Sequence, residues 1–316
     1  MNIALGVILL ITYFIFIYYA AKGGNLLLGL FVMAVIWSGL SLIGGTVTLK
    51  DINNGIFQGG PESFGPTAVN IIFGSWFGRI LIETGIARTI IRKAVELGGD
   101  KPSLTVILLS IVVTAIFTTA YGVGAVVAIG VIVFPIMLSL GVAKNLATAV
   151  YSMAVGAGLW LNSALLSQAA GTMVIGESEK YVIGPDWYRF GIIALVVSVI
   201  TYIIMVLISN RNQKKVHAWA APSDEPEADT QAKNVNFWAA LTPIIPVSIT
   251  IAFGINSIPS IIIAVIWAFA WTGYLKKGWD KLAGIVEKTF HDGVADVGLV
   301  LGFLLFLQMF IKSAGY

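Results

Sequence analysis

The chain has 316 residues, of which 58% are hydrophobic and 11% charged, with a net charge of +3 and a mean hydropathy of +0.91. Soluble domains carry about 25% charged residues, so a water-facing surface is excluded for most of this chain. The absence of cysteine excludes disulfide scaffolds and thiol chemistry, and two distant histidines, His217 and His291, leave no multi-histidine metal centre.

Continuous apolar runs occur at about 3–20, 24–45, 68–84, 103–120, 123–141, 146–175, 187–209, 237–256, 258–275 and 294–311. A bilayer core needs roughly 20 apolar residues in a helix, and unbroken runs do not suit the alternating strands of a barrel. The expected fold is an all-α polytopic membrane protein with about 10 hydrophobic segments. The first run lacks a basic start and a small-residue cleavage site, so it reads as a retained helix.

In the third run, GPTAVNIIFGSWFGRILIETG (65–85), Asn70, Ser75, Arg79 and Glu83 recur every four or five residues and fit one helix face. Arg79 and Glu83 stand at i,i+4 and are expected to pair. An intramembrane ion pair is a functional hypothesis, with Glu83 and Asn70 as coupling-ion candidates; snorkelling near the cytoplasmic end explains the pair equally well. In 114–130, Thr118, Thr119 and Tyr121 directly precede Gly122 and Gly124. They suit either a helix break lined with hydroxyls or a short external turn. Pro135 is expected to kink the helix that follows.

The segment YSMAVGAGLWLNSALLSQAAGTMVIG (151–176) places Gly156, Gly158, Asn162, Ser163, Ser167, Gln168, Gly171 and Thr172 at bilayer depth. Unsatisfied polar groups in hydrocarbon cost several kcal/mol each, so these residues must face protein or a wet cavity. One reading is a discontinuous helix, broken near 158–163, that offers free backbone N–H groups and Asn and Ser side chains to an anion. The other is close helix packing through small residues. The polar stretch 210–236 reads as a flexible linker. His291, Asp292 and Asp296 lead into the last run, where the two aspartates suit either a cation or a solvated helix start.

Basic residues cluster at 85–102, 210–236 and 276–292, with Lys22 and Lys144 in shorter turns. Placing all five on the cytoplasmic side of a cell (inner) membrane lets the runs alternate, with the N-terminus outside and loops 46–66, 177–186 and the turns near Tyr121 and Asn256 also outside. Seven runs precede the linker, so the region after it re-enters with inverted topology. GIFQGGPESFG (55–65) and KTFHDGVADVG (288–298) share a Phe and two Gly in register. Residues 1–209 then form a first repeat: scaffold helices at 3–45, transport elements at 47–176 and a closing helix at 187–209. Residues 237–316 begin an inverted, incomplete second repeat. Inverted repeats are common in secondary transporters.

The block Gly78, Glu83, Thr84, Gly85, Ala87 and Arg88 within 73–101, followed by the FTTAYGVG turn and the polar broken helix, resembles the gluconate permease and citrate transporter-like families of the ion transporter superfamily. The resemblance covers about the first 210 residues; LNSALLSQAAGT stands where gluconate permeases have a Pro-rich motif. It implies a secondary carrier for small organic anions (gluconate-, citrate- or C4-dicarboxylate-like) coupled to H+ or Na+, built from two inverted repeats with broken helices and re-entrant hairpins. The expected substrate residues are Asn162, Ser163, Ser167, Gly158, Thr118, Thr119, Gly122 and Gly124.

No enzymatic activity, nucleic-acid partner, metal or cofactor beyond the coupling ion is expected, since nucleotide loops, metal clusters and nucleophile triads are absent from the sequence. The bilayer and a small carboxylate are the expected partners, and a homodimer is an admissible assembly. The alternatives are a cation/proton antiporter, which needs a deep carboxylate that 103–141 and 146–176 lack, and a non-transporting membrane subunit, which the incomplete second repeat suits.

Overall fold

The computed structural model describes residues 2–99, 101–172, 174–175, 179–180, 184–212 and 235–315. The linker proposed at 210–236 and the loop at 177–186 fall largely outside the described residues, as does His217. Among the described residues the chain is helical, apart from a two-residue antiparallel pair, Val174–Ile175 with Glu179–Lys180.

The helices cover the apolar runs but extend past them: Ile86–Gly98 and the start of Trp279–Ala314 fall on the basic segments 85–102 and 276–292, expected as loops, and Asp51–Gln58 and the start of Gly59–Glu83 fall on the expected loop 46–66. They are α1 (Asn2–Ala21), α2 (Leu26–Ile43), α3 (Gly59–Glu83), α4 (Ile86–Gly98), α5 (Pro102–Phe117), α6 (Val123–Ser139), α7 (Lys144–Leu159), α8 (Ser163–Thr172), α9 (Pro185–Asn212), α10 (Phe237–Ala240), α11 (Ile245–Phe253), α12 (Ser257–Trp271) and α13 (Trp279–Ala314). A π-helical segment, Asp51–Gln58, leads directly into α3. Local chemistry sets several starts. Asn25 caps α2 by accepting from Leu28 N at 3.1 Å, and Pro102 occupies the first position of α5, where a missing N–H costs nothing.

Among the described residues four helices are long and apolar enough to cross a membrane: Ala4–Ala21 within α1, Leu26–Ile43, Pro185–Ser209 within α9, and Trp279–Ala314. The pair α7 and α8, bent by 67° at the break between them, makes a fifth candidate. The remaining apolar helices are shorter than the roughly 20 residues of a straight crossing. The run at 237–256, expected as one helix, is instead α10, a 3₁₀ turn at Thr242–Ile244 and α11. Pro243 and Pro246 supply no backbone N–H and their rings crowd the preceding turn, which favours a break there, with Pro246 then sitting in the first turn of α11.

The chain divides into two compact units, Met1–Val69 with Gly298–Tyr316, and Asn70–Val297. In the first, Trp37 Nε1 donates to Thr12 Oγ1 at 3.0 Å and ties α2 to α1. The end of α13 stacks Phe306 on Phe31 and Phe310 on Trp37, both at 5.1 Å between ring centres. Much of α1 is exposed and apolar, with Phe14 at 60% and Ile15 at 62%. Surfaces of this kind are covered by lipid or by protein, since water does not tolerate large contiguous ones.

The second unit has its core between α4, α5, α7 and α9. Phe77, Leu81, Ile91, Leu109, Val113, Ile116, Val150, Ala154 and Tyr202 are buried there. The helix α4 is amphipathic: Ile86, Ala87, Ile91 and Ala94 face the core, and Arg88 and Arg92 face outward.

Candidate functional site

Three interruptions of helix meet inside the second unit. The first lies between α5 and α6, at 118–122. It was readable as an external turn, but Thr118, Thr119 and Ala120 are buried. The second is the bend at 160–162 between α7 and α8, and the third is the 3₁₀ turn around Pro243, whose Thr242 and Pro243 are also buried. Non-helical backbone away from water must have its polar groups satisfied, so the partners of each break define how they fit together.

Asn162 joins the first two. Its side chain is fully buried. Nδ2 donates to the carbonyl oxygens of Phe117 and Ala120, each at 2.9 Å. Oδ1 accepts from Ala164 N at 3.0 Å and Leu165 N at 3.2 Å, capping α8. An amide has two N–H donors and one oxygen with two lone pairs, and all are engaged. The expectation that this break offers free N–H groups and the Asn162 side chain to a ligand is therefore corrected: Asn162 spends its hydrogen bonds on holding two breaks in register, and it occupies two of the N–H groups of the α8 first turn.

Thr119 joins the third break: its hydroxyl donates to Pro243 O at 2.6 Å. Thr118 donates to Ala115 O at 2.7 Å, closing the last turn of α5. Tyr121 N donates to Gly74 O at 3.3 Å, and Tyr121 Oη donates to Gln168 Oε1 at 2.8 Å, so α3 and α8 also bear on the same point. Gly158 is required by close approach, since a methyl group there would overlap the Thr114 carbonyl oxygen and the Phe117 backbone. Gly122 has φ +100 and starts α6. Ser163, the first residue of α8, is half-buried, and its hydroxyl makes no hydrogen bond among the described residues. Ser167 is half-buried one turn further along.

The coupling-ion candidates lie elsewhere on α3. Asn70 Oδ1 accepts from the hydroxyl of Ser257, at the start of α12. The expected Arg79–Glu83 pair does not form. Both side chains cross to α13: Arg79 makes a two-point ion pair with Asp296, and Glu83 pairs with Lys288 Nζ at 2.9 Å. The two helices run antiparallel there, with Ser75 Oγ donating to Gly293 O at 2.8 Å and Trp76 Nε1 to Thr289 Oγ1 at 3.1 Å. This is a second correction, and it also removes Asp292 and Asp296 as a simple cation pair. A residue on a buried face bonds whichever helix lies over it, and α13 lies over this one.

Two cavities adjoin these features. One of about 340 Å³ beside the α7/α8 bend is lined by Met153, Trp160, Leu165 and other mainly apolar residues. The other, about 800 Å³, lies between the end of α3 and the end of α12, with Glu83, Arg88, Lys276, Lys277, Trp271 and Tyr274 on its walls. Among the described residues no group of three or more His, Cys, Asp or Glu side chains is placed to hold a metal ion.

Sequence reasoning missed the Pro243 break and the Arg79–Asp296 pair. The first had a signal in the Pro243-Pro246 spacing. The second had none, since its partners are 217 residues apart. Compared with protein families, with curated proteins and with solved structures, the chain matches none.

Proposed function

We propose that the chain is an inner-membrane secondary transporter of a small organic anion, of the gluconate, citrate or C4-dicarboxylate type, driven by H+ or Na+. The observation that carries this reading is the meeting of three buried helix breaks, held by Asn162 and Thr119, in a chain dominated by apolar helices. Helix breaks at membrane depth are tolerated where they line a cavity or are buried in protein, and transporters place their ligand sites at such breaks. The Ser163 and Ser167 hydroxyls, beside the start of α8, are among the groups that bind substrate. Asn162, Thr118, Thr119, Gly122, Gly124 and Gly158 shape the backbone around it.

The short helices α5, α6, α11 and α12 complete a set of about ten membrane segments, arranged as two inverted repeats in the manner of the gluconate permease and citrate transporter-like families. The cavity bearing Arg88, Lys276 and Lys277 acts as a cytoplasmic vestibule whose positive potential concentrates anions. The deciding experiment is uptake and counterflow of labelled gluconate, citrate and succinate in proteoliposomes of the full chain, with H+ and Na+ gradients varied. Exchange of at least one of them above protein-free vesicles is expected; none under any gradient sinks the reading.

A further inference from the structure

We propose that Arg79 and Asp296 form a proton-coupled carboxylate site, in which Arg79 anchors the carboxylate of the transported anion and Asp296 carries the coupling proton. The proposal rests on the transport reading and decides the coupling ion within it.

The guanidinium of Arg79 grips both oxygens of Asp296, with Nε at 2.5 Å from Oδ2. This two-point fork is the arrangement by which arginine recognises any carboxylate, including a dissolved one. The pair is largely withdrawn from solvent, with side-chain exposures of 23% and 11%. It also sits beside the helix breaks. The Asp296 carboxylate lies against the backbone of Gly124 in the first turn of α6, where a methyl group would overlap it, and the glycine that precedes this turn, Gly122, closes the 118–122 break. The Asp296 carboxylate therefore packs beside the segment that Asn162 and Thr119 hold.

Charges facing Asp296 are few. From α3 come Arg79 and, further along, Glu83; α13 itself contributes Asp292 and Lys288, which with Glu83 act electrostatically on the Arg79 end of the cluster. The helix α6 has no ionisable side chain. Glu83 is already neutralised by Lys288, and Asp292 is partly exposed beside His291. The local balance is thus set by one cation and one anion.

That balance dictates coupling. With the site empty, Arg79 and Asp296 neutralise each other. If an anion takes Arg79 while Asp296 stays ionised, the site gains a negative charge. If Asp296 binds a proton with no anion present, Arg79 is left unpaired. Both half-loaded forms carry an uncompensated charge in a poorly solvated place, which is strongly disfavoured. When proton and carboxylate bind together, Asp296 becomes a neutral acid, the substrate carboxylate replaces it on the fork, and, counting that one carboxylate, the net charge equals that of the empty site. Each ligand raises affinity for the other, as linkage requires, so the empty and the doubly loaded forms are the ones that cross.

The test uses proteoliposomes of the full chain and labelled gluconate, citrate and succinate. The wild-type protein is expected to exchange at least one of them in counterflow and to accumulate it under an inward H+ gradient, with no accumulation under a Na+ gradient alone. Asp296→Asn, which mimics the protonated acid, should keep counterflow and lose accumulation. Arg79→Gln should lower apparent affinity in counterflow on the order of 30-fold or more. Asp296→Glu, which keeps a titratable acid should Asn fail to fold, should keep H+-driven uptake with a displaced pH profile.

Wild-type counterflow together with H+-driven accumulation by Asp296→Asn, or with unaltered affinity in Arg79→Gln, would overturn the proposal while leaving the transport reading intact. So would accumulation driven by Na+ alone, or an undisplaced pH profile in Asp296→Glu. Absence of wild-type counterflow for all three anions would overturn both.

Discussion

At the scale of single residues, Asn162 and Ser163 are neighbours with opposite roles. Asn162 is fully buried, with four hydrogen bonds to backbone atoms. Asn162→Ala strands two buried carbonyls and removes the α8 cap, and each buried group left unsatisfied costs about 1–3 kcal/mol. The variant is expected to lose roughly 2–4 kcal/mol of stability, read as a lower thermal midpoint in detergent; an unchanged midpoint would remove the stitching role. Ser163→Ala removes a hydroxyl that makes no hydrogen bond among the described residues, so stability should change by less than about 0.5 kcal/mol while substrate affinity falls. Equal uptake affinity in Ser163→Ala and wild type would take Ser163 out of the site. At Gly158, alanine meets the Thr114 carbonyl oxygen and the Phe117 backbone. Neither can move aside as a side chain would, so Gly158→Ala should cost about 1–3 kcal/mol.

At the scale of elements, the two breaks at 118–122 and 160–162 were legible because small and polar residues crowd into apolar runs there. That density says only that the segment is not a plain lipid-facing helix. It carries no information on which polar groups face protein and which face a ligand, because that depends on partners far away in sequence. Asn162 illustrates the gap: its type and depth marked a site, while its bonds to Phe117 and Ala120 oxygens made it a structural clamp. The Arg79–Glu83 expectation failed for the same reason. Spacing along one helix gives the chance to pair, and the antiparallel crossing of α13 offered each residue a better partner.

The π-helical segment before α3 supports a prediction of its own. Thr48 and Asp51 form a capping box: Thr48 N donates to Asp51 Oδ2 at 2.9 Å and Asp51 N to Thr48 Oγ1 at 3.3 Å. The Thr48 hydroxyl, which also donates to the carboxylate, holds the Asp51 acid below its ordinary value, with the Thr48 backbone N–H adding to it. A carboxylate lowered in the folded protein stabilises above its unfolded value and loses that contribution as pH falls through its folded value. Amide exchange in 49–58 should therefore be unchanged from neutral pH down to about pH 4 and show weaker protection below it, after correction for intrinsic rates. Asp51→Asn should be pH-independent over that window, and loss of protection in that variant at the same pH would assign the change to another group.

At the scale of the whole chain, the distribution of charge gives an expected orientation that labelling can test. The basic segments 85–102 and 276–292 were assigned to one side of the membrane from their lysines and arginines alone. Arg88 from the first and Lys276 and Lys277 from the second line one cavity, so the expected orientation has them react from the same face. Asn256 lies at the other end of α12, a helix of 15 residues and so about 22 Å long. That length is short of the roughly 30 Å hydrocarbon core, so α11 and α12 either cross with help from their flanks or enter and leave on one side. Because the chain has no cysteine, single-cysteine labelling separates these cases. Arg88→Cys and Lys277→Cys are expected to react with a membrane-impermeant maleimide in inside-out vesicles, and Asn256→Cys in right-side-out vesicles. Reaction of all three from the inner face would make α11 and α12 a re-entrant hairpin; α13 would still enter from the inner face, but the crossings of α1 and α2 would have no counterpart in the second half, against the inverted repeat. Reaction of Arg88→Cys and Lys277→Cys from opposite faces would dissolve the vestibule and with it the positive-inside assignment on which the orientation was built.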